Sequence, residues 1–355
     1  MRELVIAPLH QASMEACRLR IDNLTKPIYS LAHLELIAER MAGITGNPKP
    51  NHLHYGILVV GADHLVDGPK NSQHGRDSYA VMKRFNEGRT ATQGAAFKLN
   101  ATVHVVDVGL ERSTTELSFI EQEKIASGSH FFGVKPAMSR DELERALELG
   151  FHYADRLHDE GLQVIAMGNV GARSFLDALV TTATITGNSY ESLLTETDCG
   201  PTIAQRGAYI KSFTDQYDLS TTMNLLQVAG GYDIATLTGF ILGAASHRMA
   251  VVFDNAVTGA AVLAAISIND QVKDYIFPSA VYNEPIHQAQ CEYLGLKPYL
   301  HYDLDIDEGV GATMGLSIID AAMYMLNDMK TFVEAKVIAA EDGPGNERQE
   351  NGPAK

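Results

Sequence analysis

Short continuous apolar runs, each closing on polar residues, constrain this chain most. Tyr55-Gly56-Ile57-Leu58-Val59-Val60-Gly61-Ala62 ends in Asp63-His64, and Thr102-Val103-His104-Val105-Val106-Asp107-Val108-Gly109 carries an acid near its end. Leu162-Gln163-Val164-Ile165-Ala166-Met167-Gly168 leads into Asn169, and Met249-Ala250-Val251-Val252-Phe253 into Asp254-Asn255. Helical patterns precede the last two, from about Arg140 to Glu160 and through Ile234 to Ala245. A strand with one wet face alternates polar and apolar residues, so an unbroken apolar strand needs cover on both faces. The expected fold class is α/β, a parallel sheet flanked by helices in the Rossmann-like manner. Ligands bind such sheets outside the carboxyl ends of the strands. Asp63-His64, Asp107, Gly168-Asn169, Asp254-Asn255 and Glu308 are therefore expected along one edge.

Glu308 comes from the segment Asp307-Glu308-Gly309-Val310-Gly311-Ala312. The strand-like run Tyr299 to Ile306 precedes it, and an apolar, helix-like run from Met314 to Met325 follows. Gly309 and Gly311 permit unusual backbone angles and let the backbone approach a ligand closely. A glutamate at such a cleft mouth can serve as a general base. It can equally be a helix-N-terminal acid that complements the dipole, and spacing alone favours that plainer role.

Gly168-Asn169-Val170-Gly171-Ala172-Arg173-Ser174 follows a strand and opens a helix. Backbone N–H groups of such a turn can hold a phosphate, with Arg173 and Ser174 adding hydrogen bonds. An ordinary strand-to-helix turn with a solvent-facing arginine accounts for it as well. The segment is neither a Walker loop nor a full GxGxxG, so neither ATP nor NAD is read from it, and a dinucleotide oxidoreductase is disfavoured. Lys211, in a helix-like stretch after Gly200-Pro201-Thr202, is by itself an ordinary solvated lysine. The methionines at 314, 323, 325 and 329 read as core.

The formal net charge of -16 argues against nonspecific binding to nucleic acid or an anionic membrane. Cys17, Cys199 and Cys291 form no CxxC pair, which points to a reducing compartment without structural zinc. The 13 histidines include no HExxH, and His52 with His54 is the one close pair, so no metal is expected. The opening residues lack a long apolar core, and no apolar run reaches bilayer length, so the expected location is cytoplasmic. The first fifty residues look helical, with Leu31, Leu34, Leu36, Ile37 and Met41 as a buried stripe. Pro27 is expected to open that helix and Gly43, Gly46 and Pro48 to end it. Residues 341–355, rich in Gly, Pro, Glu and Asn, read as a flexible tail.

In order along the chain stand Leu24-Thr25-Lys26-Pro27 with Ser30-Leu31 and Leu34-Glu35, then Ala62-Asp63-His64, Val105-Val106-Asp107-Val108-Gly109 and Pro136-Ala137-Met138-Ser139. Gly230-Gly231-Tyr232-Asp233-Ile234-Ala235, Leu294-Gly295-Leu296-Lys297-Pro298 and Glu308-Gly309-Val310-Gly311-Ala312 complete the series. From about Arg20 to Phe332 this resembles the nicotinate-nucleotide:dimethylbenzimidazole phosphoribosyltransferase family, which activates the lower-ligand base of cobamides. The resemblance implies transfer of 5-phosphoribose from nicotinate mononucleotide to an aromatic base, with Glu308 as the catalytic base. It implies phosphate and ribose contacts at Gly168, Asn169, Gly171, Arg173, Ser174, Lys211, Gly309 and Gly311. It implies base contacts at Asp63, His64, Ser72, Ala80 and Ile306. No cofactor and no metal is implied. The family's architecture implies a small helical domain from both chain ends, here 1–50 plus 313–340, on an α/β domain over 51–312, assembled as a dimer.

The departures lie in ligand-binding turns. The family's "GExGIGNTT" turn has become Gly168-Asn169-Val170-Gly171-Ala172-Arg173-Ser174-Phe175, which loses an acidic residue and the Asn-Thr-Thr donors. Its "GRGTG" has become Asp198-Cys199-Gly200-Pro201-Thr202, and its "GGAAIN" Arg89-Thr90-Ala91-Thr92-Gln93-Gly94. In the base-covering loop, Gly68 to Ala80, Ser72 is retained and Ala80 replaces a glutamine. Two expectations follow. One is an active enzyme with an altered acceptor, benzimidazole or phenolic, as a homodimer or a heterodimer with a homologous subunit. The other is a catalytically degraded subunit that completes a dimer with an active homologue.

Overall fold

The structure is a computed structural model that describes residues 2, 4–65, 77–131, 134–194, 208, 211–282, 284–301, 304 and 306–338. Six strands form its main sheet: β1 (Tyr55–Ala62), β2 (Thr102–Gly109), β3 (Glu121–Gln122), β4 (Val164–Val170), β5 (Ala250–Phe253) and β6 (Ile276–Pro278). Their spatial order is β3-β2-β1-β4-β5-β6, and every pairing is parallel. Every residue of β1 and β4 is buried, as the unbroken apolar runs require. The chain runs outward from β1 through β2 to β3, then restarts beside β1 with β4. That reversal makes the β1–β4 boundary the switch point, the place at the carboxyl ends where open parallel sheets bind their ligands. In register, Val59 lies between Val105 and Gly168, and Val60 between Val106 and Asn169. Gly168 and Asn169 are thus strand residues, and the turn proper starts at Gly171.

Amphipathic helices cover the sheet. Arg140–Asp159 begins with a full capping box, Ser139 against Glu142, which stops the helix from fraying. It crosses Gly231–Ser246 at two glycines. A Cβ on Gly150 would lie 2.0 Å from the Thr236 carbonyl oxygen, and one on Gly239 2.2 Å from that of Leu147. The two backbones meet where side chains are absent. Among the described residues, no helix is long and apolar enough to cross a membrane.

The chain divides into two compact units, residues 1–7 with 54–315 and residues 8–53 with 316–355. The first contains the sheet. The second is helical and built from both chain ends. Leu24 bridges Thr331, Thr25 N–H donates to the Lys330 carbonyl, and Phe332 N–H donates to that of Asn23. Its helices differ from expectation. Gln11–Asp22 comes first, and the second is His33–Thr45, so Pro27 opens no helix. Lys26 instead forms a buried ion pair with Glu35 at 2.7 Å, which holds residues 26–32 as turns. The buried stripe is Ile37, Ala38, Met41 and Ala42, whereas Leu36 points outward.

A separate parallel pair, β7 (Ala280–Val281) and β8 (Leu300–His301), follows the main sheet. Of the strand expected over residues 299–306, only β8 is present among the described residues. The helix after Glu308 is longer than expected, Val310–Asp328.

Candidate functional site

The carboxylates gathered at this edge of the sheet are separated in role by their surroundings. Asp107 accepts the Gly109 and Leu110 N–H groups on Oδ1 and the Thr114 hydroxyl on Oδ2, with Lys124 at 3.2 Å. Asp63 accepts the Ser78 hydroxyl at 2.5 Å and the Ala172 N–H at 3.1 Å on Oδ1, and the Glu111 N–H at 2.9 Å on Oδ2. Both acids therefore brace loops at the sheet edge. Asp63 ties together the loop after β2, the turn after β4 and the helix Ser78–Asn86. It was expected to contact the base, but its oxygens are occupied by the protein.

His64 is enclosed by the protein. Its ring is wholly buried, with Nδ1 2.5 Å from Asp177 and Nε2 2.8 Å from Asp233. Burial disfavours the imidazolium, but Asp233 and Asp177 outweigh it and hold the histidine well above its usual range. Burial pushes Asp177 up as well. Two carboxylates around one imidazolium leave the cluster one charge negative, so a further proton is favoured there. Gly231, at φ +64°, leaves room for the ring, since a Cβ there would lie 2.1 Å from Cε1. Asp177 sits in the first turn of Ser174–Thr186 and Asp233 in that of Gly231–Ser246. The triad thus pins two helix starts to the end of β1. An expected base contact at His64 is replaced by a buried clamp.

Glu308 stands differently. Its residue is 3% exposed, and its backbone adopts φ +42°, which is strained for a non-glycine residue. Surrounding contacts fix that conformation. Glu308 N–H donates to the Asn169 carbonyl at 3.2 Å, and the buried Thr92 hydroxyl donates to the Glu308 carbonyl at 2.7 Å. Gly309 has φ +75° and lies against Gly168, where a Cβ would come within 2.6 Å of the Gly309 nitrogen. Gly168, Gly309 and Glu308 are therefore brought together by backbone packing of the turn onto β4. The half-exposed Arg84 donates to Oε1 of Glu308 at 2.8 Å. Oε2 accepts no hydrogen bond from the described residues.

The other expected residues divide. Gly171 packs tightly, since a Cβ there would lie 2.2 Å from the Ala62 carbonyl oxygen. Arg173 adopts φ +69° immediately before Ser174–Thr186, its Nη2 is 3.9 Å from Glu111, and its buried Nε has no partner among the described residues. The Ser174 hydroxyl donates to the Gly171 carbonyl. The wholly buried Asn169 spends its side chain on Ser174 and Asn255, at 3.4 and 3.1 Å. Gly311 packs on Asp254 and Tyr282. Ile306 offers its carbonyl to the Tyr282 hydroxyl at 3.2 Å. Ala80 is exposed on Ser78–Asn86, the helix that also carries Arg84. Lys211 is exposed and pairs with Asp215 one turn on, at 2.7 Å. Ser72 and residues 198–202 lie outside the described residues. Among the described residues, no cluster of ligating side chains could hold a metal ion. A cavity of about 440 Å³ lined by Arg2, Asp141, Glu144, Arg145, Phe151 and Met223 shares no residue with this site.

Arg84, Asp177, Tyr282 and the role of Asp233 were not expected from the sequence, and Thr92 was expected only as part of the altered segment 89–94. Arg84 lies on a short helix whose sequence carries no functional pattern. The one available signal was the acid in the first turn after each crossover, at 177 and 233.

Known proteins share this chain's sequence and fold over nearly its whole length. The family model described as Phosphoribosyltransferase matches residues 6–337. A nicotinate-nucleotide–dimethylbenzimidazole phosphoribosyltransferase of Desulforudis audaxviator is 33% identical over 344 residues, 95% of this chain and 97% of that protein. One of Chloroflexus aggregans is 33% identical over 338 residues, 94% of this chain and 96% of its own length. The crystal structure of CobT from Thermus thermophilus superposes with a TM-score of 0.84 at 28% identity, covering 93% of this chain and all of its own.

Proposed function

Because the chain belongs to the nicotinate-nucleotide–dimethylbenzimidazole phosphoribosyltransferase family, we propose that it moves the 5-phosphoribosyl group of nicotinate mononucleotide to an aromatic base, benzimidazole or phenolic, for cobamide assembly in the cytoplasm. One observation carries the catalytic assignment: among the described residues, the half-exposed Arg84 anchors Oε1 of Glu308 and no protein donor reaches Oε2, whereas the unpartnered oxygen of Asp254 is sealed in the interior. A general base needs that combination of fixed direction and a free lone pair.

In the reaction the acceptor's nitrogen or phenolic oxygen attacks C1′ of the ribose. The C1′–N bond to the pyridinium breaks and its electron pair stays on the ring nitrogen, which leaves as nicotinate. The leaving ring becomes neutral, so departure needs no acid. The attacking group loses its proton to Oε2 of Glu308, which yields the α-riboside phosphate. The Gly171–Ser174 turn, with Arg173 at a helix N-terminus, is assigned to the 5′-phosphate. Ala80, smaller than the glutamine of the family motif, leaves room for a different acceptor.

A second reading is a subunit that supports an active homologue. It draws on Asn169 and Lys211, whose side chains are committed within the protein. Nicotinate release separates the two. The purified chain is mixed with nicotinate mononucleotide and, in turn, dimethylbenzimidazole, adenine, phenol and p-cresol. Release with one class of acceptor is expected. Absence of both release and nucleotide binding would overturn the transferase and leave the supporting subunit.

A further inference from the structure

Asp254 ends β5, is wholly buried, and has no part in the transfer described above. Its Oδ2 accepts the Ala312 N–H at 3.0 Å, in the first turn of the helix Val310–Asp328. The buried Tyr282 hydroxyl lies 3.3 Å from the same Oδ2 and 3.2 Å from the Ile306 carbonyl. Gly311 closes the arrangement, with room for a Cβ only 3.0 Å from Oδ2 and 3.1 Å from the Tyr282 oxygen. Asp254 and Tyr282 therefore grip residues 306 and 312, on either side of Glu308.

We infer that Asp254 and Tyr282 are positioning residues, a buried bracket that fixes the Glu308 turn, and that Asp254 works as a neutral carboxylic acid. The proton inventory supports the neutral form. One phenolic hydrogen faces two acceptors, the Ile306 carbonyl and Oδ2. If Asp254 carries a proton on Oδ2 it can donate to Tyr282, whose own proton then goes to the Ile306 carbonyl, so one hydrogen no longer serves two acceptors. Oδ1 is buried without a partner among the described residues, which is costly for an anion and tolerable for an acid. Burial, with Asp307 nearby, pushes the carboxyl up to about 7 despite the donors on it. An amide has the same shape and no charge, and with its carbonyl at the Oδ2 position it still accepts the Ala312 N–H, so asparagine should keep the bracket.

The inference rests on Glu308 being the base, and the test keeps the two apart by reading the turn without turnover. Asp254→Ala, Asp254→Asn and Tyr282→Phe are compared by amide exchange at Ala312 and by steady-state kinetics. Asp254→Ala should abolish the protection of the Ala312 amide, and Asp254→Asn should retain it. Asp254→Ala should lower kcat on the order of a hundredfold, with KM for nicotinate mononucleotide within about threefold, because misplacing the base costs rate and not nucleotide binding. Asp254→Asn should stay within about threefold of the wild type, and Tyr282→Phe, which keeps the packing, should fall between at about tenfold. An Asn variant as impaired as the Ala variant would overturn the neutral-acid bracket. So would unchanged Ala312 protection in Asp254→Ala. If the wild type turns over no substrate, the transferase reading falls, and the exchange data still decide whether Asp254 holds the turn.

Discussion

Replacing His64 with glutamine removes the one cation between two buried carboxylates. Asp177 and Asp233 have side chains 1% and 0% exposed, so neither can recover hydration in the folded state. Breaking a buried charge pair from one side costs about 3–5 kcal/mol. Against a total stability of about 5–15 kcal/mol, that is a large share. The sign with pH follows from the shifts. His64 is raised above its ordinary value, so its contribution is fully present below about pH 6.5 and is lost as pH rises through its folded value. Asp177 is raised too, so its contribution is present below about pH 4 and is lost as pH rises through its folded value. In the variant the charge of Asp177 loses its cation and burial favours its protonated form, which becomes harder to keep as pH climbs. The deficit of His64→Gln should therefore be smallest near pH 4 and grow toward about pH 6.5. Urea unfolding of both proteins, followed by circular dichroism at several pH values, measures it. A deficit below about 1 kcal/mol at pH 6.5, the range of a surface substitution, would refute the buried-imidazolium assignment. A deficit independent of pH would do the same.

Two further outcomes bear on the Glu308 turn. Arg84→Ala should leave stability within about 1 kcal/mol, because the arginine is half exposed, but lower kcat about tenfold by freeing Oε1, as steady-state kinetics and thermal unfolding would show. Gly168→Ala would place a Cβ 2.6 Å from the Gly309 nitrogen, with backbone on both sides. It should cost about 1–3 kcal/mol and most of the turnover, whereas alanine at the open Gly94 should cost little by the same assays.

The sheet was legible because burial on two faces leaves a one-dimensional trace. Tyr55–Ala62, Val164–Val170 and Ala250–Phe253 coincide with their apolar runs to within a few residues. The acids at their ends were legible as positions and not as roles. Asp63 and Asp107 look like Glu308 in sequence, and only the donors folded around them show that they brace loops. His64 was misread for a related reason: its partners lie more than a hundred residues away, on helices whose sequences carry no sign of pairing. The N-terminal unit failed on another count. An expected proline start at Pro27 gave way to a tertiary ion pair, Lys26 with Glu35, that no local preference encodes. The glycines of the Glu308 segment were read as freedom for a ligand. Their larger service is contact between β4 and the turn, a long-range demand that appears only in three dimensions.

Conversion of Glu308 to glutamine tests the central claim most directly. The side chain keeps its size and an oxygen for Arg84, and loses the ability to take a proton. Nucleotide binding by calorimetry and nicotinate release with the preferred acceptor are measured on the same preparation. The account predicts unchanged binding and a turnover lower by about a hundredfold or more. Turnover equal to the wild type, with binding intact, would remove Glu308 from the chemistry.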